Sequence, residues 1–291
     1  MFRSFLVALA ALLATPALTA PALAAPPVWT VRDADSEVVL FGAMHVLPKD
    51  LDWKPPALDA ALARADDLWF EVPMDAAADR RMQDLAGAYG LLPPGQTLTS
   101  RLKPRAAARL RDLAQRLDVP MSELERLRPW MAEVRLTTAA FARDQGLAEG
   151  GVERRLQAQA SPTIARKAFE TPDEQMALFA GASEADQVRT LNATVRQLRK
   201  DPGAYRRLVA AWSKGDQKAL ERAVVGGMRK SSPALYRRFI VERNARWMDA
   251  LQARLAGSGR TVVVVGAGHL LGPDGLPARL RALGYDVEGP R

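Results

Sequence analysis

Thr261-Val262-Val263-Val264-Val265-Gly266-Ala267-Gly268-His269 is the stretch whose reading decides the fold. A run of β-branched residues closed by glycine reads as a strand buried on both faces, the kind found inside a parallel sheet. The glycines let the chain turn sharply where the strand ends, and His269 is delivered just beyond that end. The same arrangement occurs far upstream, in Val38-Val39-Leu40-Phe41-Gly42-Ala43-Met44-His45, and these are the only two histidines in the chain. In open α/β sheets, ligands bind in the crevice outside the carboxyl ends of the strands. Two imidazoles at two such ends are therefore candidates for one metal or catalytic site.

Working outward, the chain begins with a leader. Arg3 gives a basic start, Phe5 to Ala14 is apolar, and Ala22-Leu23-Ala24 is a small-residue cleavage signal. The apolar run is too short to span a bilayer, so residues 1–24 read as a secretory signal peptide, and the protein is expected to be exported, periplasmic or secreted. No later stretch approaches a membrane-spanning length. With no cysteine there are no disulfides, no thiolate ligands and no lipoprotein anchor, so any metal must be held by nitrogen and oxygen. The net charge of +8 comes from 41 basic against 33 acidic residues, interspersed along helical stretches such as Lys103 to Arg116. That pattern reads as a solvated surface, and no nucleic-acid partner is expected.

The rest of the mature chain, 25–291, reads as an α/β domain: a mixed or mainly parallel central sheet with a large inserted helical subdomain. Segments 25–74 and 231–291 supply the α/β core. Val28 to Arg32 and Val38 to Phe41 form a hairpin, Leu68 to Val72 is a short strand, and Tyr285 to Glu288 is a last edge strand. Segment 75–230 is mainly helical in period, punctuated by Pro93-Pro94-Gly95 and Asp201-Pro202-Gly203. Within it, 163–170 reads either as a further core strand or as a loop, and in either case a helix capped by Thr171 with Pro172 at its first position is expected to follow. A long helix from Pro233 to Ala256 is expected to be capped by Ser232 and stopped by Gly257.

Three kinds of polar residue interrupt this apolar plan. Glu71 lies inside or at the end of an apolar strand, where a buried carboxylate needs a partner or a proton. Glu170 ends the 163–170 segment in the same manner. Arg243 and Asn244 sit on the apolar stripe of the long helix, where a buried polar pair also needs partners.

The sequence resembles the TraB/GumN family, relatives of the Tiki proteins, which are regarded as metal-dependent peptidases. The resemblance runs from about Trp29 to Glu288. It rests on the order of the two Gly-x-x-His motifs, Phe70-Glu71, Arg128-Pro129-Trp130, Gly151-Val152-Glu153, Glu170-Thr171, Arg243-Asn244 and the closing Gly-Ala-Gly-His-Leu-Leu-Gly-Pro-Asp-Gly. Ala43 stands where a small hydroxyl residue is common, and Asp75 comes later after Glu71 than the family's aspartate. The resemblance implies metallopeptidase-like activity on a peptide or other small hydrolysable substrate. A divalent transition metal (Zn, Mn or Co) bound by His45, Glu71 and His269 would match the ligand set of hydrolytic zinc sites and leave a position open. Glu170 is the candidate general base, with Arg243 and Asn244 stabilising an oxyanion or orienting the carboxylates. The alternative is a non-catalytic periplasmic protein that binds metal or haem, or an accessory in polysaccharide export.

Overall fold

The computed structural model describes residues 25–290; the leader expected at 1–24 lies outside them. A six-stranded mixed sheet forms the centre, built from β1 (Val28–Arg32), β2 (Ser36–Ala43), β3 (Asp67–Phe70), β4 (Ala165–Ala168), β5 (Gly259–Gly266) and β6 (Asp286–Glu288). Its order is β4-β3-β5-β2-β1-β6. The first four strands of that order run parallel, while β1 pairs antiparallel with both β2 and β6. The fold is thus α/β, as the valine run implies.

Both faces of the sheet are covered, and the two faces take alternate residues. Val39, Phe41, Leu68, Phe70, Val262 and Val264 join Trp53, Leu58, Trp212 and Ile240 on one side. Val38, Leu40, Trp69, Val263 and Val265 join Trp247, Leu251, Leu276 and Leu280 on the other. A side chain buried this completely contributes roughly 1.5–3 kcal/mol, and a strand that gains on both faces has no polar positions to alternate with. The helical part has a core of its own, which includes Leu98, Leu110, Leu124, Leu136 and Leu191.

Two sequence details resolve differently from their simplest reading. The ambiguous 163–170 segment contains a strand, β4, and Thr171 also caps the next helix, accepting from the Glu174 N–H in a reciprocal capping box. The helix expected from Pro233 passes through a π-helical turn at Arg237–Val241 before continuing as Glu242–Leu255, and the Ser232 side chain makes no capping bond. Among the described residues, no helix is long and apolar enough to cross a membrane.

Candidate active site

The register of the parallel strands brings the two motifs together. Gly42 is paired with Val265 and Ala43 with Gly266, so β2 and β5 end side by side. On the other side of β5, Trp69 pairs with Val263, which carries Glu71 to the same rim. The glycines matter here through close approach. A Cβ on Gly266 would lie 3.0 Å from His45 Nε2 and 3.1 Å from Glu71 Oε1. One on Gly42 would meet the Ala267 backbone at 3.1 Å. Neither glycine has a positive φ, so the sharp turn suggested by the sequence is not what requires them.

His45 stands in the loop after β2 with 63% of its side chain exposed. Its Nδ1 lies 2.5 Å from Glu153 Oε1, a carboxylate almost wholly buried in the first turn of the helix Val152–Gln159. That helix is docked directly on the histidine loop: the Val152 N–H donates to Met44 O, and Gly151 packs against the His45 carbonyl. With Nδ1 engaged by an acceptor, Nε2 is the nitrogen presented to the rim. Glu153 raises the His45 pKa above its ordinary value, although water at the exposed ring screens the pair.

His269 is the opposite case. It is buried in a short 3₁₀ turn, Ala267–Leu270, against the Trp247 ring at 4.3 Å. Asn244 Nδ2 donates to the carbonyls of His269 and Asp274, at 3.0 and 2.7 Å, which makes its Oδ1 an acceptor. The His269 Nδ1, 2.7 Å from that oxygen, therefore carries the proton. Its Nε2 accepts from Arg243, 3.0 Å away. Burial drives the His269 pKa down to about 3, with Glu71 pulling the other way, so the ring is neutral.

Arg243 is the hub. It donates to Glu170 through Nε at 2.9 Å and through one terminal nitrogen at 2.8 Å, and the same nitrogen reaches Glu71 Oε2 at 2.5 Å. Its guanidinium also lies 4.6 Å over the Trp247 ring. Glu71 is fixed at its other oxygen by the Gly266 N–H, 2.7 Å. Burial alone would raise the Glu71 pKa, but His269 and Arg243 outweigh it and hold the carboxyl at about 2. With His269 neutral, the charges left to do this are Arg243 and His45, helped by the Gly266 N–H.

All six residues singled out in the sequence thus gather at one rim, with two changes of role. Glu170 was the candidate base, but its carboxylate is buried and taken up by Arg243 and by Trp247 Nε1 at 3.1 Å. It neutralises and orients Arg243. Asn244 likewise orients His269 and is fully buried, so it has no free donor for an oxyanion. Glu153 had no role assigned from sequence. Its signal was an acidic residue in the first turn of a helix preceded by two glycines, and both glycines prove to pack against the backbone of the histidine loop.

The donor types at the rim suit a divalent transition metal. Both imidazoles are held at Nδ1 by an acceptor, the usual support of a histidine ligand, and the missing Gly266 side chain leaves a cradle between His45 Nε2 and Glu71 Oε1. The third donor is not free. His269 Nε2 is 3.9 Å from Glu71 Oε1 and is occupied by Arg243. As the side chains lie, no three His, Asp or Glu among the described residues form a group that could hold a metal.

A family model described as the TraB/PrgY/gumN family matches residues 27–289, nearly the whole chain. No curated protein and no solved structure matches it.

Proposed function

Because the chain belongs to the TraB/PrgY/gumN family, we propose that it is an exported, metal-dependent hydrolase of peptidase-like chemistry. The observation that carries the reading is the cradle at Gly266, where His45 Nε2 and the anionic Glu71 Oε1 face one small space, the ring held at Nδ1 by Glu153 and the carboxylate held at Oε1 by the Gly266 N–H and at Oε2 by Arg243. His45 and Glu71 would hold a divalent transition metal there, and His269 would become the third ligand once Arg243 releases its Nε2. When bound, such a metal supplies Lewis acidity and lowers the pKa of water.

The chain's own residues do the rest. Glu153 fixes the His45 ring so that Nε2 stays turned to the rim, and in the absence of metal it favours a proton on that nitrogen. Proton and metal compete for one lone pair, so loading releases a proton. Arg243 keeps Glu71 ionised, and Glu170 balances Arg243 so that the buried guanidinium is not left with a single partner. Hydrolysis requires an accessible group, and His45 is the one ring of the pair that meets solvent.

The test is metal titration of untagged protein by calorimetry, followed by turnover on a library of peptides and esters. Glu71→Gln is expected to weaken metal affinity, because a neutral amide is a poorer donor than a carboxylate. His45→Ala is expected to abolish metal binding and turnover. Stoichiometric binding without turnover on any substrate would leave a metal-binding protein and remove the hydrolase. Equal metal affinity in wild type and both variants would remove the site.

A further inference from the structure

In the sequence the basic surplus looks interspersed; in the fold much of it collects on one face. The helices Pro104–Arg116 and Glu184–Lys200 lie side by side, with Leu110 and Leu113 of one and Leu191 and Val195 of the other in the same core. Arg101 meets Glu184 at one end, 3.1 Å, and Arg199 meets Asp112 at the other, 2.6 Å, so the two run in the same direction. On the first helix, Arg105, Arg109, Asp112 and Arg116 recur at a spacing of four, three and four residues, which makes them one stripe. The stripe lies away from the buried Ala107, Leu110 and Ala114. Arg196 and Lys200 flank Arg199 on the second helix, and Arg143 comes in from the end of a third to donate to the Arg116 carbonyl.

This face is poorly neutralised. Its seven basic residues stand against two carboxylates, Asp112 and the exposed Asp118 just past the first helix, a surplus that accounts for most of the net charge of +8. Asp112 is shared by Arg116 and Arg199, and the other five cations have no ion pair among the described residues. The acids next to Arg143 and Lys200 in the chain, Asp144 and Asp201, are taken by Arg206 and Arg207. Elsewhere Arg81, Arg135 and Arg154 each have a carboxylate of their own. Like charges four apart on a helix, as Arg105 and Arg109 are, repel one another, and bound anions would relieve that repulsion.

The shape of the face and the type of cation select the partner. Helices of 13 and 17 residues are about 20 and 25 Å long, so the charges are spread over a surface and not gathered around one small anion. Six of the seven are arginines, whose planar fork matches phosphate oxygens. The large apolar side chains that are exposed, Tyr89, Leu91, Val134, Leu147 and Leu283, lie on neither helix, so contact would stop at the headgroups. An exported chain meets membrane surfaces and not nucleic acid.

We infer that the paired helices Pro104–Arg116 and Glu184–Lys200 form a docking face for an anionic phospholipid surface. The inference is independent of the chemistry at the histidine rim.

The test is sedimentation of the full mature chain with vesicles of phosphatidylglycerol and phosphatidylcholine in equal parts, and with phosphatidylcholine alone, in 50 and 500 mM NaCl. Binding is expected only to the anionic vesicles and is expected to fall steeply at the higher salt. The variant Arg105→Gln/Arg109→Gln/Arg196→Gln should bind roughly 100-fold more weakly, each charge near such a surface being worth about fivefold. None of the three is ion-paired, so the variant should melt with wild type. If it does not, Arg105→Gln and Arg196→Gln singly serve instead, each with about a fivefold loss. The control Lys49→Gln/Arg80→Gln/Arg222→Gln removes the same charge from exposed positions outside this face and should keep nearly all binding. Anionic vesicles retained no better than neutral ones at low salt would overturn the proposal. Equal weakening by the two triple variants would also overturn it, since net charge and not this face would then be responsible. Tighter binding to soluble polygalacturonate than to the anionic vesicles would give the face to an acidic polysaccharide instead.

Discussion

At the scale of single residues, the two histidines that look equivalent in the sequence are not. Both follow a glycine at the same offset, and nothing in the local pattern distinguishes an exposed ring from a buried one. His45→Ala removes a side chain that is 63% exposed but takes the partner from the buried Glu153 carboxylate, and is expected to cost about 1 kcal/mol, the low end for an unsatisfied buried group, because water can enter where the ring stood. His269→Ala strips partners from Asn244 Oδ1 and Arg243 inside the core and is expected to cost at least about 2 kcal/mol. Arg243 is more sensitive still. Arg243→Met leaves Glu71 and Glu170 buried without their shared cation, and removing one partner of a buried ion pair costs roughly 3–5 kcal/mol. Adding Glu170→Gln to that variant should restore part of the loss. Urea unfolding of the four proteins checks the ranking, and equal midpoints for His45→Ala and Arg243→Met would contradict it. The polar interruptions of apolar stretches were legible in the sequence because burial forces them to pair. Which of them pair with one another was not, since Glu71, Glu170 and Arg243 are far apart along the chain.

At the scale of elements, the strands were legible in proportion to their burial. β5 announces itself because both of its faces are covered, and β2 for the same reason. β4 does not: Ala165-Arg166-Lys167-Ala168 is half exposed at the sheet edge, where a charged residue such as Lys167 is what blocks further pairing. The π-helical turn before Arg243 also left no trace, because the helix period continues through it on either side. The glycines carried a signal whose meaning was packing. Gly266→Ala would place its Cβ 3.0 and 3.1 Å from the ends of His45 and Glu71, two side chains that can shift slightly. It is expected to fold and to lose metal binding. Gly151→Ala would instead drive its Cβ into the His45 carbonyl, which is backbone, and is expected to destabilise by about 1–3 kcal/mol as other overpacked sites do. Thermal melts and calorimetric metal titration of both variants distinguish a lost cradle from a displaced loop. A Gly266→Ala protein that melts early would mean that the glycine serves the sheet alone.

At the scale of the whole molecule, the helical part has one core to itself while its Leu156 and Trp212 join the core on one face of the sheet, and a cavity of about 350 Å³ lies where helices of the insertion meet the stretch that leads into Arg243. Its walls come from residues between Val46 and Phe239, so no local pattern could reveal it, and Glu133 on its wall reads in the sequence as one more helical acid. Within the fold, burial raises the Glu133 pKa above its ordinary 4.5, against the lowering effect of the Thr194 and Thr190 hydroxyls. The folded protein therefore holds this proton more tightly than the unfolded chain does. The contribution to stability is fully present below pH 4.5 and is lost as pH rises through the raised folded value. Glu133→Gln removes the titration and keeps an oxygen to accept from Thr194 Oγ1. The variant is expected to match wild type at pH 4 and to be the more stable protein at pH 8. Each kcal/mol of difference appears as roughly 2–4 °C in Tm for a chain near this size. The comparison must be made as a difference between the two proteins at each pH, since the acid response of the other carboxylates is common to both. A difference that is constant from pH 4 to pH 8 would mean that Glu133 keeps its ordinary titration and that the cavity wall is wetter than its apolar lining implies.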